Sequence, residues 1–251
     1  MLASLIVTLV FLAQLVDKTA QPAAPPPASD LSAEKRADIY MARKMYREAV
    51  ETYQQALKAN PKSPIIHNKM GIAFHQQLQL DLAQRYYERS VRLDKQYSEA
   101  VNNLGTIFYA RGSYRRAISS YKKALILAPS SASIHSNLGT AYFARKRYQE
   151  ASEEYGVALK LDPEIFEHRG SFGSLLQERS VQDRARFHYY MAKTYAAAGY
   201  VDRALSYLRK ALEEGLKDRE KIPEEAEFAA LKDNPEFQQL VAANVAVIPR
   251  D

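Results

Sequence analysis

Five histidines are the side chains of this 251-residue chain best suited to proton transfer or metal binding. They are His67, His75, His135, His168 and His188. None has a second histidine or a carboxylate at the spacing of a helical zinc motif, and the sequence contains no glycine-rich phosphate loop and no nucleophile elbow. The absence of cysteine excludes disulfides and thiol chemistry. We therefore expect no catalytic residues, no metal and no cofactor, which leaves binding.

Two groups of side chains suited to binding recur at a spacing of 34 residues. The first comprises Asn103 and Asn137, with Lys69 in the same place one period earlier. An amide offers a donor and an acceptor to any peptide group, although these amides could equally be satisfied within the protein. The second group comprises His75, Tyr109 and Phe143. Aromatic side chains act as anchors at interfaces, although these rings could instead pack on a neighbouring unit.

The same period runs through the residues that would position these side chains. An alanine with a tyrosine four residues later recurs at Ala49, Ala83, Ala117 and Ala151. A glycine preceded by methionine or leucine recurs at Gly71, Gly105 and Gly139. Spacings of three and four residues place such positions on one face of a helix. A fixed period of this length indicates a supersecondary unit that buries its apolar face only by stacking on its neighbours.

These leucine-glycine, alanine and tyrosine positions, with Pro61, Pro129 and Pro163 closing three units, resemble the tetratricopeptide repeat. The resemblance implies an all-α solenoid of tandem antiparallel helix hairpins, wound as a right-handed superhelix. Four units are predicted over residues 30–165 and a fifth over residues 185–218, with an insertion at 166–184 between them. His67, His135 and His188 fall on one position of their units, which points to packing. Residues 219–251 are expected to form capping helices, starting at Pro223 and at Asn234-Pro235.

In this family the first helix of each hairpin lines a concave groove, and the asparagine before the leucine-glycine pair holds a peptide backbone. The resemblance therefore implies a peptide-binding groove formed by Asn103, Asn137, Lys69, His75, Tyr109 and Phe143. The family's clamp for a terminal carboxylate is not reproduced, because Glu34 and Asp38 take its lysine and asparagine places. The predicted function is a scaffold that binds a segment of a partner protein and supports complex assembly. An accessory regulatory subunit of an enzyme, or an adaptor that self-associates through its outer face, are the alternatives. The oligomeric state is not predicted.

The net charge of +6 is concentrated in the third unit. The cations there are Arg111, Arg115, Arg116, Lys122 and Lys123, against the single acid Glu99. Such a surface would favour acidic partners, although these residues could also be solvated positions on the outer face of a helix. A nucleic-acid partner is not expected, because lysine and arginine do not recur at one groove position of each unit.

The N-terminal segment differs from the repeats. Residues 2–16 are nearly all apolar, and a polar, proline-rich linker follows up to residue 29. The apolar run matches the core of an export signal and is shorter than the ~20 residues of a comfortable membrane span. No lysine or arginine precedes it, and no clean small-x-small cleavage site follows it. We expect export to the periplasm or secretion, or an uncleaved inner-membrane anchor. The alternative is a cytoplasmic protein whose assigned start adds apolar residues.

This expectation can be tested by fusing residues 1–30 to a reporter that is active only outside the cytoplasm. The intact segment should give activity, and deletion of residues 2–16 should abolish it, because the apolar run is the part that an export pathway recognises. A reporter retained in the cytoplasm by the intact segment would contradict the expectation.

Overall fold

The computed structural model describes residues 32–167, 181–217 and 219–242. Every regular element in these ranges is a helix. The α-helices are α1 (Ala33–Ala42), α2 (Tyr46–Ala59), α3 (Pro64–Gln76), α4 (Leu80–Leu93), α5 (Ser98–Ala110), α6 (Tyr114–Leu127), α7 (Ala132–Ala144), α8 (Tyr148–Leu161), α9 (Val181–Ala197), α10 (Val201–Glu213) and α11 (Pro235–Ala242). Two 3-10 helices, Arg219–Glu224 and Ala226–Leu231, precede α11. The apolar run at residues 2–16 and residues 168–180 of the predicted insertion lie outside the described residues.

Consecutive helices pack as hairpins, which are α1 with α2, α3 with α4, α5 with α6, α7 with α8 and α9 with α10. The second helix of each hairpin also packs on the first helix of the next, so the hairpins stack in a row. At the C-terminal end, α9 contacts the second 3-10 helix and α10 contacts α11. The described residues therefore confirm the predicted all-α solenoid with capping helices.

A glycine of the first helix lies against a tyrosine ring of the second helix in three hairpins. A Cβ atom added to Gly105 would lie 2.7 Å from Cε1 of Tyr121, where no carbon atom fits. The pairs Gly71 with Tyr87 and Gly139 with Tyr155 show the same contact, at 2.5 and 2.7 Å. All three rings are at most 2% exposed. The glycine is needed because any side chain would displace the ring that fills the space between the helices.

The turns inside the hairpins use left-handed backbone. Gly112 and Gly199 have φ angles of +69° and +82°, which glycine adopts without a steric penalty. Lys44, Leu78 and Lys146 stand at the equivalent turns with φ near +60°. For these residues the left-handed conformation costs about 1–2 kcal/mol each. Three hairpins thus keep the same tight turn even without glycine.

The C-terminal cap differs in part from the expectations. Helix α9 does not, because it begins at Val181, where the spacing of Ser180 and Asp183 in the sequence indicates a helix start. The predicted helix start at Pro223 is wrong, because a 3-10 helix begins upstream at Arg219 and contains this proline. The start at Asn234-Pro235 is confirmed, since Asn234 Oδ1 accepts hydrogen bonds from the backbone N–H groups of residues 236 and 237 at 2.9 and 3.0 Å. This side chain satisfies free donors of the first turn.

None of the helices in the described ranges combines the length and the apolar character that crossing a membrane requires.

The glycine–tyrosine contact predicts opposite effects for two glycine-to-alanine changes. Gly105→Ala should lower the free energy of unfolding by about 1–3 kcal/mol, because the added methyl group overpacks the core against Tyr121. Gly156 lies inside α8 with no atom within 4 Å of an added Cβ. Gly156→Ala should therefore raise the free energy of unfolding by roughly 0.5–1 kcal/mol. Urea unfolding followed by circular dichroism measures both, and a change of the same sign in the two variants would contradict the packing described here.

Candidate functional site

The first helices of neighbouring hairpins converge on one side of the solenoid, where α3 contacts α5 and α5 contacts α7. The second helices α4 and α6 make less contact with each other. The converging side is therefore the inside of the curve. We call its residues the inner face, and on each helix three of them share it at spacings of four and three residues. They are Asn68, Ile72 and His75 on α3, Asn102, Thr106 and Tyr109 on α5, and Ser136, Thr140 and Phe143 on α7.

The inner face is closed on α7 and open on α3 and α5 except at Asn68, which is 3% exposed. Ile72, His75, Asn102, Thr106 and Tyr109 are all partly exposed. On α7, by contrast, Ser136, Thr140 and Phe143 are at most 7% exposed. A ligand on this side would therefore contact α3 and α5.

A row of side-chain amides joins the three helices. Asn137 Nδ2 donates to Asn102 Oδ1 at 3.0 Å, and Asn103 Nδ2 donates to Asn68 Oδ1 at 3.0 Å. Within α5, Asn102 Nδ2 donates to Asn103 Oδ1 at 3.3 Å. Asn68 Nδ2 completes the row by donating to the Tyr97 hydroxyl at 3.4 Å. The four bonds run from donor to acceptor in one chain that begins at Asn137 and ends at Tyr97, so each bond polarises the next in the same sense. We call this row the amide ladder.

The ladder places the predicted peptide-binding asparagines in contacts between units. Asn103 and Asn137 each bond to an asparagine 35 residues earlier, one more than the repeat period. Each amide retains further capacity, since it carries two N–H groups and a carbonyl oxygen. The Asn137 carbonyl oxygen, for example, has no hydrogen-bond partner within the described ranges. Holding a peptide backbone stays a prediction for these two residues. The sequence analysis did not identify Asn68 and Asn102 as partners of these asparagines. The spacing of 35 residues between the members of each pair was the signal that could have revealed them.

Lys69 joins α3 to α1 in the same way, through ion pairs instead of amide hydrogen bonds. Its Nζ lies 2.7 Å from Glu34 Oε1 and 2.7 Å from Asp38 Oδ2, both on α1. The Tyr53 hydroxyl donates to the other oxygen of Asp38 at 2.6 Å. Burial alone would lower the pKa of Lys69, but the hydrogen bonds to the two carboxylates outweigh it and raise this pKa. A ligand carboxylate would have to displace these two acids from Lys69. This agrees with the expectation that the chain lacks the family's clamp for a terminal carboxylate.

The three predicted aromatic positions have different surroundings. His75 and Tyr109 are partly exposed, and the Tyr109 ring lies 5.2 Å from the ring of Tyr114. Burial lowers the pKa of His75, which favours the neutral form of this ring. Phe143 is only 3% exposed and its ring contacts those of Tyr148 and Phe187 at 5.1 and 5.4 Å. Phe143 therefore offers almost no surface to a ligand, and the exposed part of this column is His75 and Tyr109.

Two of the three tyrosines that cover the glycines reach the inner face with their hydroxyl groups. Tyr121 donates to Thr106 Oγ1 and Tyr155 donates to Thr140 Oγ1, both at 3.3 Å. Each threonine in turn donates to a backbone carbonyl of its own helix, at 3.3 Å for Thr106 and 2.9 Å for Thr140. The polar groups of the inner face are thus fixed from behind by the core.

The histidines at the shared repeat position contact the chain that ends the preceding unit. The Nε2 atoms of His67 and His135 lie 3.1 and 3.0 Å from the carbonyl oxygens of Pro61 and Pro129. His188 instead places Nδ1 2.7 Å from a Glu214 oxygen. Burial lowers the pKa of His67 and of His188, in the latter despite the attraction of Glu214. These contacts agree with a packing role.

The basic residues of the third unit are only partly free. Arg111 forms an ion pair with Asp81, and the guanidinium of Arg116 lies 3.9 Å from the centre of the Phe108 ring. Arg115 and Lys123 are exposed, and neither forms an ion pair with another described residue. Three exposed arginines on α4 extend this surface, namely Arg85, Arg89 and Arg92. A basic outer face therefore exists, formed by α4 and α6.

Comparison with protein families identifies the repeats. A family model described as "TPR repeat" matches residues 37–77 and 105–144, and a "Tetratricopeptide repeat" model matches residues 132–165. No curated protein matches the sequence at a significant level.

Among solved structures, PilF of Pseudomonas aeruginosa is similar over 83% of this chain and 86% of its own, with 17% identity and a TM-score of 0.54. MamA from Desulfovibrio magneticus is similar over 74% of this chain and 94% of its own, with 17% identity and a TM-score of 0.51. Another MamA structure shares 22% identity over 73% of this chain and 96% of its own, with a TM-score of 0.50. Likeness at these identities establishes the fold alone.

The amide ladder predicts that Asn102 contributes to stability. Asn102→Ala removes the acceptor of Asn137 and the donor to Asn103. The free energy of unfolding should fall by about 1–3 kcal/mol, because partly buried amides lose their partners. Ser119→Ala, on the exposed side of α6, should change it by less than about 0.5 kcal/mol. Urea unfolding measures both. Equal effects of the two substitutions would show that the ladder does not stabilise the stack.

Proposed function

The chain belongs to the tetratricopeptide repeat family, and on that premise we propose that it is a binding scaffold rather than an enzyme. It binds an extended segment of a partner protein on the open inner face of α3 and α5, and it supports the assembly of a complex. The observation that carries this proposal is the open inner face itself, where two helices present apolar, aromatic and hydrogen-bonding side chains side by side.

The side chains on this surface suit a polypeptide with an apolar residue. Ile72 and His75 on α3 face the same side as Tyr109 on α5. Burial lowers the pKa of His75 and so disfavours a positive charge in this region. A central aromatic residue such as Tyr109 is the type of side chain that supplies much of the binding energy at interfaces.

The surroundings of this surface keep it rigid. Thr106 is held by the Tyr121 hydroxyl from behind, and Asn102 is held by Asn103 and Asn137 on either side. A surface that is already ordered loses little conformational entropy when a ligand binds. The remaining donors and acceptors of the ladder amides are the groups that we assign to the peptide backbone of the partner.

We also propose that the scaffold acts outside the cytoplasm or at the inner membrane. This part rests on the apolar run at residues 2–16 and the proline-rich linker that follows it.

The proposal is tested by placing a photo-crosslinking amino acid at Ala110, an exposed position beside Tyr109 at the end of α5. The matched control carries the same amino acid at the exposed Ser119 on α6. A partner should be captured from Ala110 and not from Ser119, because only α5 belongs to the inner face. Affinity for that purified partner should then fall about tenfold or more in Tyr109→Ala. It should stay unchanged in Lys123→Ala, with melting curves checked for both variants.

The opposite pattern would favour the outer basic face. If the partner is captured from Ser119 and is lost when Arg115 and Lys123 are changed to glutamate, the inner-face proposal fails. If the captured partner is a second copy of this chain, the protein is a self-associating adaptor.

A further inference from the structure

A cleft lies near the C-terminal end of the solenoid, between the first part of α9 and the segment that follows α10. Its volume is about 340 Å³, and the first 3-10 helix forms a third wall. The residues that matter for its chemistry are Arg186, Tyr189, Tyr190, Lys217, Lys221 and Glu225. Tyr189 occupies the repeat position that Asn68 and Asn102 hold in earlier units. The cleft therefore continues the inner side of the solenoid into its last unit.

The single acid of the cleft is already engaged. Glu225 Oε1 accepts a hydrogen bond from the Tyr189 hydroxyl at 2.8 Å, and Oε2 accepts one from Lys193. Lys193 also lies 3.1 Å from Glu227, and its side chain is only 13% exposed. This cluster ties α9 to the C-terminal cap. Its two carboxylates exceed its single ammonium group by one negative charge, which is fewer than the two positive charges of Arg186 and Lys217 on the cleft wall.

Two cations of this concave surface, Arg186 and Lys217, form no ion pair with another described residue. Arg186 is exposed and donates from Nη1 to the Tyr148 hydroxyl at 3.0 Å, which is a neutral partner. Lys217 is exposed and forms no ion pair within the described part of the chain. Elsewhere in the fold, cations such as Lys69 and Arg203 pair with acids. Like charges in a concavity repel each other unless an anion sits between them.

Aromatic rings line the cleft beside these cations. The Tyr190 ring stacks on that of Tyr148 with centroids 5.0 Å apart and an angle of 19°. The Arg186 guanidinium lies 5.3 Å from the centre of the Tyr148 ring. Tyr189 and Tyr190 both line the cleft, so it combines a site for an anion with a site for an apolar group. An acidic residue next to an apolar one in a polypeptide has this combination.

We propose that the cleft binds an acidic stretch of a partner protein. Arg186 and Lys217 receive carboxylates, and the face of Tyr190 receives a neighbouring apolar side chain. The inference rests on the proposed function, since its ligand is a partner polypeptide, but it uses none of the inner-face residues of α3 and α5. The chain's own residues 168–180 do not match the charge of the cleft, because they contain Arg169 and Arg179 against a single acid, Glu178.

The test uses a fluorescein-labelled peptide in which glutamate and aspartate flank a phenylalanine. Its counterpart has every acid replaced by the corresponding amide. Fluorescence anisotropy with the full chain should show saturable binding of the acidic peptide and binding of the amide peptide that is at least about tenfold weaker. The double change Arg186→Gln with Lys217→Gln should weaken binding of the acidic peptide by about tenfold or more, because two charged donors are lost.

The matched control is Arg115→Gln with Lys123→Gln, which removes the same charge from the outer face of α6. This variant should retain the affinity for the acidic peptide, with circular dichroism unchanged in both variants. Equal losses in the two double variants, equal binding of the two peptides, or no saturable binding would each overturn the proposal. So would equal competition by a single-stranded oligonucleotide, which would indicate a site for polyanions in general.

Tyr109→Ala separates this proposal from the function on which it rests. This variant should bind the acidic peptide as the unmodified protein does. If no partner is captured at Ala110 while the acidic peptide still depends on Arg186 and Lys217, the inner-face proposal fails and the cleft stands. If the partner is captured and the peptide is indifferent to the cleft, the cleft proposal fails alone.

Discussion

Contact between a glycine and a tyrosine ring is the interaction on which each central hairpin depends. Gly105 allows the ring of Tyr121 to lie directly on the backbone of α5. The hydroxyl of that ring then reaches Thr106 on the opposite side of the helix pair. A single packing constraint in the core thereby fixes a polar group on the surface where a ligand would bind. The packing of the core and the geometry of the candidate site therefore depend on the same tyrosine.

The inner face gains its order from contacts between units as well as within them. The amides of Asn102 and Asn103 bond to asparagines on both neighbouring first helices. Lys69 makes the corresponding link to α1 with two carboxylates. Side chains that the sequence predicts to bind a ligand therefore also determine how one hairpin packs on the next. Stability and recognition draw on the same residues, which is why a binding variant of Asn103 needs a stability measurement beside it.

Local spacing predicted the helices well, because each hairpin is defined by residues within one period. Ala117 and Tyr121, four residues apart, indicated one helix face, and both are buried residues of α6. The direction of Asn103 was not predictable in this way, because it depends on the stagger between neighbouring helices. The sequence left open whether Phe143 faces a ligand or packs on a neighbouring unit for a related reason, since its contact Phe187 on α9 lies beyond the insertion in sequence. The sequence also did not predict the cleft at α9, because the cleft is formed by residues of α9 together with Lys217, which lies after α10 in the chain.

The direction of the amide ladder makes the order of the units matter. Helices α3 and α5 each present an acceptor to the unit after them and a donor to the unit before them, yet the chemistry of these groups changes along the row. Glu34 and Asp38 suit the ammonium group of Lys69, whereas Asn68 suits the amide of Asn103. If the second and third units exchanged places, α1 would face an amide and the charged lysine would face neutral partners. The hairpins share one backbone design, but they cannot exchange places. The donor and acceptor side chains between neighbouring units match in only one order along the chain.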